Sequence, residues 1–353
     1  MVGGTQLVPA FFSIGLSIKS CDKMRKEMPF IDAPGLKIHY EASGGGKTVL
    51  VFLHGNFGSW RWWQPVLKRL PEDYRAYALD LRGCGETGRP GTGHSVEQLA
   101  SDLYEFSRGL GLPVFHLVGH SLGGAVAMQF ALEHPEMVRS MLLAAPAPAE
   151  GMKGKVEELS WLIDIFKLDG AEGQNEHHDE RQSSLLTGIL SPPDYRSPDA
   201  LAAAYGRLRN LGVLRRYLRR ALVRMAPYAE QNGYFETLVD DAVRMSPEAM
   251  VGHLSSLLTW NIQGELSKLR MPVLIILGTE DNLVPLDALE RTVRGLKRGK
   301  LVTREKMGHS PLIEDPDFFV EILTGYIEEN TALWGVLREM FLHIRYRIAC
   351  LLS

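Results

Sequence analysis

The sequence has few cysteines, no excess of positive charge and no apolar run long enough to cross a membrane. Its 353 residues include three cysteines, too few for a disulfide scaffold and typical of a reducing compartment. The 39 basic and 42 acidic side chains give a net charge of −3, which does not favour general nucleic-acid binding. With 45% hydrophobic and 23% charged residues, the composition is that of a globular protein, not of a disordered one. The length suits one large α/β domain, or one domain with an insertion.

The N-terminal segment carries its longest apolar run at Leu7–Ile18. This run is shorter than a membrane-spanning helix, which needs about 20 residues. The basic residues of a signal peptide precede its apolar stretch, but here they follow it, from Lys19 to Lys26. We therefore expect residues 1–30 to form an N-terminal extension and the protein to be cytoplasmic. An uncleaved surface anchor in this segment is the less favoured alternative.

Short apolar runs bounded by Gly, Pro or Asp alternate with longer segments of helical periodicity. The strands that these runs predict are Leu36–Tyr40, Val49–Leu53, Tyr77–Leu79, Val114–Val118, Met141–Ala144, Val273–Leu277 and Lys300–Arg304. Helices are predicted between them, for example over Val96–Leu110 and Leu122–Glu133. Continuous apolar strands that alternate with helices indicate an α/β fold with a mostly parallel sheet, covered on both faces.

The alternation of strands and helices stops after Ala145. Residues 146–272 contain helical patterns and loops, including the proline-rich stretch Ser191–Pro198, but no convincing strand. Two crossovers of ordinary length do not need this much chain. We therefore expect a helical cap over residues 150–262, inserted into a core formed by residues 31–149 and 263–330.

The stretch from Gly119 to Gly123 reads GHSLG and matches the pattern G-x-S-x-G around Ser121. It comes directly after an apolar strand and directly before a predicted helix. A sharp turn from strand into helix strains the serine backbone and lifts its hydroxyl clear of the sheet, and flanking glycines let neighbouring backbone pass close. This context predicts a nucleophile, whereas the alternative is a serine that only caps a helix.

A serine nucleophile needs a base, and the base needs a group that holds its tautomer. His309 lies in a loop after the last predicted strand and can reach the carboxyl edge of the sheet, where Ser121 lies. Asp281 follows Val273–Leu277 at the same edge, and we choose it over the neighbouring Glu280. The alternatives are an ordinary loop histidine and an aspartate that only caps the next helix. The order Ser, Asp, His along the chain is the one expected for this architecture.

Attack by the serine creates an oxyanion, which backbone N–H groups stabilise well because folding already fixes their direction. Leu122 offers one N–H at the start of a helix, where the macrodipole favours negative charge. The second donor should come from the loop after Val49–Leu53, which reads HGNFG. We assign the N–H of Asn56, with Phe57 as the alternative, and expect His54 to be a structural hydrogen-bonder.

Trp60, Trp62 and Trp63 follow this oxyanion loop. We expect them mainly to pack the first helix against the sheet. For the substrate pocket we predict Phe57, Trp60 and His120 as lining residues. The pair His177–His178 beside Asp179 is too small a cluster to indicate a metal site. We predict neither a metal nor an organic cofactor.

Five motifs in this order, HGNFG, DLRGCGETG, GHSLGG, GTEDNLVP and MGHSP, resemble the α/β-hydrolase superfamily, in its esterase-like branch with a helical lid. The resemblance covers about residues 45–330. It implies an eight-stranded sheet, a helical cap after strand six, and a catalytic triad of Ser121, Asp281 and His309. It also implies that Asp80 and Arg82 shape a turn. The cap matches no motif, so no substrate is carried over.

The residue at the nucleophile position disfavours some relatives of this superfamily. Its haloalkane dehalogenases and epoxide hydrolases carry aspartate where this chain has Ser121, and its proline iminopeptidases carry HGGPG and a tryptophan where this chain has HGNFG and Leu122. We therefore expect a serine hydrolase that cleaves an uncharged or amphiphilic carboxylic ester. Carbon–carbon bond hydrolysis, lactone hydrolysis and cofactor-free perhydrolysis stay open, and a ligand-sensing receptor is the alternative outside enzymes.

Two amphipathic segments could bind a larger partner. Tyr205–Met225 contains seven arginines, with leucines at helical spacing. A solvated basic face is the simplest interpretation, and attraction of anionic substrates or of a lipid surface is the sharper hypothesis. Residues 331–353 are expected to form a C-terminal amphipathic helix that packs on the body or on a second subunit, with a membrane as the alternative. The expected partner is thus a small ester, with a peripheral lipid surface and oligomerisation open, and no nucleic acid.

Overall fold

A computed structural model describes residues 30–152, 205–206, 208–210 and 212–331, and within them one eight-stranded sheet. The strands are β1 (Phe30–Ala33), β2 (Leu36–Gly44), β3 (Thr48–Leu53), β4 (Tyr74–Leu79), β5 (Phe115–His120), β6 (Val138–Ala144), β7 (Val273–Gly278) and β8 (Gly299–Arg304). Their order across the sheet is β1-β2-β4-β3-β5-β6-β7-β8. The two pairings of β2, with β1 and with β4, are antiparallel, and all pairings from β4 to β8 are parallel. The expected eight-stranded, mostly parallel sheet is confirmed.

The central strands form because their sequences are apolar on both faces. Every residue of β5 and β7 is buried, as are all residues of β3 after Thr48. Strands covered on both faces lose the usual alternation of apolar and polar residues, which is why these runs were recognisable. The predicted fourth run began one residue early, because Val114 stays 44% exposed and β5 starts at Phe115.

Strand β1 was not predicted. It has four residues and lies at the edge of the sheet, paired only with β2 through a tight turn at Gly35, whose φ is +72°. Its residues are partly exposed, so no apolar run marks it. It begins at Phe30, the last residue of the predicted N-terminal extension, and residues 1–29 lie outside the described part of the chain.

The described helices connect and cover these strands, and the two predicted over Val96–Leu110 and Leu122–Glu133 are observed at Val96–Gly109 and Leu122–Glu133. The described helices are α1 (Gln64–Leu67), α2 (Val96–Gly109), α3 (Leu122–Glu133), α4 (Leu214–Met225), α5 (Phe235–Arg244), α6 (Pro247–Thr259), α7 (Leu286–Gly295), α8 (Pro311–Glu314) and α9 (316–331). Helix α2 starts after Ser95, whose hydroxyl accepts a hydrogen bond from the Gln98 N–H at 3.2 Å. This cap satisfies one of the donors that a helix start leaves unpaired.

The described part of the predicted cap is helical and consists of α4, a 3₁₀ turn, α5 and α6. Residues 153–204 lie outside the described chain, as do residues 332–353 of the predicted C-terminal helix. In the basic segment predicted as a helix from Tyr205, residues 205–206 and 208–210 are helical, and α4 begins at Leu214 after a turn in which Gly212 adopts a φ of +71°. Among the described residues, no helix has the length and apolarity to cross a membrane.

Candidate active site

Ser121 lies in a strained turn between β5 and α3. Its φ of +52° and ψ of −114° are unusual for a residue with a side chain, and its N–H donates to the Ala144 carbonyl at 3.0 Å. A Cβ on Gly119 would lie 2.5 Å from the Gly123 carbonyl oxygen, and one on Gly123 would collide with the Leu53 carbonyl. The two glycines are therefore required by close backbone approach, and the turn holds the serine at the carboxyl edge of the sheet.

The predicted acid and base lie against each other. His309 Nδ1 is 2.8 Å from Asp281 Oδ2, and both side chains are only 1% exposed. The other oxygen, Oδ1, accepts the N–H groups of Leu283 at 2.8 Å and Val284 at 3.0 Å. Because these bonds fix the carboxylate, its Oδ2 receives the Nδ1 proton of His309, and the lone pair of the imidazole is left on Nε2.

Ser121 and His309 line one narrow cavity of about 70 Å³. Asn56, Phe57 and His120 line it as well. The remaining lining residues are apolar, namely Ala147, Met152, Met225, Leu254, Leu257, Leu258, Leu283 and Val284. His309 Nε2 is buried and has no hydrogen-bond partner within the described chain. The cavity thus combines a strained serine, an imidazole nitrogen without a partner and apolar walls.

Three consecutive backbone N–H groups fix the loop that carries His309, because each donates a hydrogen bond. The Glu314 carboxylate accepts the Gly308 N–H at 2.9 Å and the Ser310 N–H at 2.8 Å, and the His309 N–H donates to the Met225 carbonyl at 2.7 Å. Burial raises the pKa of Glu314, and the two backbone N–H groups oppose this shift. Sequence reasoning missed Glu314, whose only signal was an acidic residue one short helix after His309.

The oxyanion loop follows β3 and contains a second strained residue, Phe57, with a φ of +67°. The Phe57 N–H donates to Asn56 Oδ1 at 3.1 Å and is therefore engaged inside the loop. This contact favours the N–H of Asn56 over that of Phe57 as the second oxyanion donor. Leu122 is the first residue of α3, where helix N–H groups have no partner within the helix.

Two buried histidines beside these residues are neutral. His54 donates from Nδ1 to the Gly55 carbonyl at 2.7 Å and accepts the Leu81 N–H on Nε2 at 3.0 Å, so both ring nitrogens serve the loop structure. His120 donates from Nε2 to the His309 carbonyl at 2.9 Å. Burial lowers the pKa of His54 and holds the pKa of His120 well below its usual range, with the neighbouring His309 as a second cause for His120.

Asp80 anchors the turn that the resemblance implied. Its fully buried carboxylate contacts His39 Nδ1 at 2.7 Å and accepts the N–H groups of Trp60 at 2.7 Å and Glu86 at 2.9 Å. Arg82 donates from Nε to Asp102 at 2.8 Å. Through the contact of Asp80 with Trp60, the segment after β4 is joined to the residues that follow the oxyanion loop.

Trp60 is not among the described residues that line the cavity, and its place in the substrate pocket stays a prediction. Its backbone N–H is fixed by Asp80, and a 3₁₀ turn over Trp60–Trp63 begins there. Trp62 and Trp63 are fully buried, and Trp63 packs on Phe52 with ring centroids 5.0 Å apart. The other two predicted pocket residues, Phe57 and His120, do line the cavity.

Metal-ligating side chains do not cluster in the described chain, where no three His, Cys, Asp or Glu residues could hold one ion. The segment with His177 and His178 lies outside the described residues.

Residues 48–316 match the family model of the alpha/beta hydrolase fold. The putative carbamate hydrolase RutD of Stutzerimonas stutzeri is 25% identical over 304 residues, covering 83% of this chain and 97% of that protein. The soluble epoxide hydrolase of Corynebacterium sp. is 35% identical over 114 residues, or 32% of this chain and 40% of that protein.

Several other curated relatives are also matched over only about a third of their length. Among solved structures, an esterase from Exiguobacterium antarcticum has a TM-score of 0.63 at 22% identity, covering 85% of this chain and 98% of that one. The structural likeness supports the fold, and the family match covers most of the chain. The protein therefore belongs to the alpha/beta hydrolase fold family.

Proposed function

We propose that this protein hydrolyses carboxylic esters through an acyl-enzyme on Ser121. The observation that carries the proposal is the buried pair of His309 and Asp281, 2.8 Å apart, beside a cavity that the strained Ser121 also lines. A serine in such a turn, with an oriented imidazole nearby, is the arrangement that acyl transfer requires.

In the first half-reaction, Ser121 Oγ attacks the ester carbonyl carbon and passes its proton to His309 Nε2. The Asp281 carboxylate stabilises the imidazolium that forms. The carbonyl oxygen becomes an oxyanion and accepts the N–H groups of Leu122 and Asn56. His309 then protonates the leaving alkoxide, the bond from carbon to the alcohol oxygen breaks, and the acyl group stays on Ser121.

In the second half-reaction, water takes the place of the serine as the attacking group. His309 Nε2 accepts one proton from the water as its oxygen bonds to the acyl carbon. Collapse of this intermediate expels Ser121 Oγ, which recovers the proton from the imidazole. The products are one carboxylic acid and the free enzyme, so atoms and protons balance without another reactant.

The size and lining of the cavity support a small, uncharged acyl group. The cavity is narrow within the described chain, with a volume of about 70 Å³. Nine of its lining side chains are apolar, and a charged group placed among them would lose hydration without a partner. We therefore propose short acyl chains as preferred substrates.

Epoxide opening, the activity named for some relatives, does not suit this nucleophile. Attack on an epoxide joins the nucleophile to a saturated carbon. With Ser121 the product would be an ether, which water does not cleave by acyl chemistry, whereas an ester on Ser121 returns the free enzyme. The position of Ser121 at the turn thus favours carbonyl substrates.

Carbamate hydrolysis is the second candidate. It is favoured by the similarity to the putative carbamate hydrolase RutD of Stutzerimonas stutzeri, 97% of which this chain covers. A carbamate carries the same electrophilic carbonyl, so Ser121 and His309 would act on it in the same way. Lactone, carbon–carbon bond and peroxide chemistry would also use these residues, and a receptor that binds without turnover is the non-enzyme candidate.

A series of p-nitrophenyl esters of increasing acyl length tests the proposal, with a p-nitrophenyl carbamate alongside. We expect multiple turnovers, highest kcat/KM for the shortest acyl chains, and loss of activity in Ser121→Ala. Ser101→Ala, an exposed serine on α2, is the matched control and should behave as the unchanged protein. Turnover that survives Ser121→Ala, or release of only one product molecule per protein, contradicts the proposal.

A further inference from the structure

Asn56 is one of the residues that line the cavity, and its side chain has no part in the mechanism above. Asn56 is 7% exposed, and its backbone N–H is the proposed oxyanion donor. Its Oδ1 accepts the Phe57 N–H at 3.1 Å. Because a backbone N–H can only donate, this bond fixes which end of the carboxamide is oxygen, and the nitrogen Nδ2 takes the opposite position.

Asn56 Nδ2 is buried and has no hydrogen-bond partner within the described residues. It carries two N–H donors, and Asn56 lines the cavity next to Ser121. A buried donor without an acceptor is rare in folded proteins and needs an explanation. A bound molecule with an acceptor oxygen at this place would satisfy it.

A histidine of the cap holds the carboxamide from its other side. His253, on α6, is completely buried, and its Nδ1 lies 3.4 Å from Asn56 Oδ1. Burial holds the pKa of His253 well below its usual range, so the ring is neutral and donates one proton from Nδ1 to Asn56. The carboxamide oxygen thus receives hydrogens from the loop and from the cap, and the amide cannot rotate without losing both.

We infer that the side-chain amide of Asn56 is a substrate-recognition group, positioned by His253, for an acceptor oxygen close to the scissile carbonyl. The preferred substrates are then esters whose acyl group carries an ether, hydroxyl or carbonyl oxygen, not plain alkyl esters. This inference rests on the proposed ester hydrolysis and adds the substrate class. The competing role, a third donor to the oxyanion, predicts an equal effect on every ester.

Two phenyl esters of nearly equal shape separate these roles. Phenyl methoxyacetate has an ether oxygen where phenyl butanoate has a methylene group. The ratio of their kcat/KM values is compared between the unchanged protein and each variant, so the intrinsic reactivity of the two esters cancels. Asn56→Ala removes the carboxamide, and Asn56→Asp keeps an acceptor for Phe57 and His253 but replaces the NH₂ donor by oxygen.

We expect both variants to lower the ratio by about tenfold, the effect of losing one ordinary hydrogen bond. Ser255→Ala, two residues from His253 on α6 and not among the residues that line the cavity, is the matched control and should leave the ratio unchanged. Equal losses for both esters would assign Asn56 to the oxyanion and overturn the inference. An unchanged ratio in both Asn56 variants would overturn it too.

Variants of His253 test the positioning role. His253→Phe keeps a ring of similar size but removes the donor, and should lower the ratio of the two esters. His253→Asn places an amide nitrogen near the position of Nδ1 and should restore part of it. Because a loss of folding would move both variants together, rescue by Asn but not by Phe identifies the hydrogen bond itself.

A binding measurement keeps the inference separate from the proposed reaction. Calorimetric titration of Ser121→Ala with each ester should show tighter binding of the methoxyacetate, and the double variant Ser121→Ala, Asn56→Ala should lose this preference. If esters are not turned over but the binding preference holds, the proposed function fails and the recognition role stands. If esters are turned over but the binding preference is absent, the proposed function stands and the recognition role fails.

Discussion

At the scale of single residues, their contacts distinguish Asp281 from Glu280 as the candidate acid beside His309. Asp281 faces His309, whereas the Glu280 carboxylate is exposed and accepts the Tyr228 hydroxyl proton at 2.7 Å. We predict that Asp281→Asn lowers kcat by about a thousandfold to ten-thousandfold, because the amide no longer stabilises the imidazolium or its tautomer.

Asn at position 281 can still accept the N–H groups of Leu283 and Val284, so folding should be preserved. Steady-state kinetics with thermal melting measures both properties, and Glu280→Gln is the matched control with nearly unchanged kcat. Retention of more than about a tenth of the activity by Asp281→Asn would remove Asp281 from the proposed triad.

Glu314 acts on the site only through the backbone of the His309 loop. In Glu314→Gln one oxygen is replaced by an NH₂ group, which faces a backbone N–H of Gly308 or Ser310 and cannot accept it. We predict a fall in kcat of about tenfold to a hundredfold with little change in KM, since the imidazole moves relative to Ser121. The exposed Asp317→Asn on α9 is the control, and a change confined to KM would contradict this positioning role.

At the scale of elements, Asp241 connects helix α5 of the cap to Ser59 and Arg61, which follow the oxyanion loop. This carboxylate is 1% exposed, accepts the Ser59 hydroxyl proton at 2.6 Å and pairs with Arg61. We predict that Asp241→Ala lowers the free energy of unfolding by about 3 kcal/mol, because it leaves the Arg61 charge without its partner.

The neighbouring Asp240 provides the control for this prediction. Asp240 is exposed on the same helix and pairs with Arg215, and its removal should cost less than about 1 kcal/mol. Urea denaturation of both variants gives the two free energies. Similar values for Asp240→Ala and Asp241→Ala would show that the buried contact does not fasten the cap.

Helix α4 bears on the hypothesis of a lipid surface. Arg215 pairs with Glu236 and Asp240, and Arg219 pairs with Glu230 and Glu236, so acidic side chains of the cap balance part of the basic face. A lipid-binding role stays a prediction. Co-sedimentation with anionic vesicles, before and after replacing the four arginines 215, 216, 219 and 220 by Gln, decides it, and binding that is unchanged by the replacement excludes it.

At the scale of the whole molecule, the predictable features were those with a local signal. The central strands are continuous apolar runs, and Ser121 has a turn pattern around it, whereas the edge strand β1 carries neither. The contacts of Asn56 with His253 and of Ser59 with Asp241 join residues 197 and 182 positions apart. No local pattern encodes such pairs, because only the packed cap brings them together.

Several histidines buried in the neutral form make the stability of the molecule depend on pH. Burial lowers the pKa of His116 to about 4, and it also lowers the pKa values of His54, His120 and His253. In the unfolded chain each binds a proton near its ordinary pKa of about 6.5. Below that pH the unfolded state therefore holds more protons than the folded state, and stability falls as the pH falls.

Two buried carboxylates act in the opposite direction. Burial raises the pKa values of Asp241 and Glu314, so the folded state binds their protons more readily than the unfolded state does. Their contribution to stability rises as the pH falls through their folded pKa values. Burial also lowers the pKa of His94, so five histidines oppose the two carboxylates. We therefore predict that the free energy of unfolding decreases steadily from about pH 7 towards about pH 5.

Urea denaturation at several pH values measures this slope, and His116 allows one part of it to be isolated. His116 lies on β5, where its Nδ1 is 2.8 Å from Ser140 Oγ. His116→Asn can keep a hydrogen bond with Ser140 but cannot gain a proton on unfolding. Below pH 6.5 the free energy of unfolding should fall less steeply with decreasing pH in the variant than in the unchanged protein. The two slopes should differ by up to about 1.4 kcal/mol per pH unit, since one titrating group has been removed. Parallel slopes for the two proteins would show that His116 is protonated in the folded state as readily as in the unfolded chain.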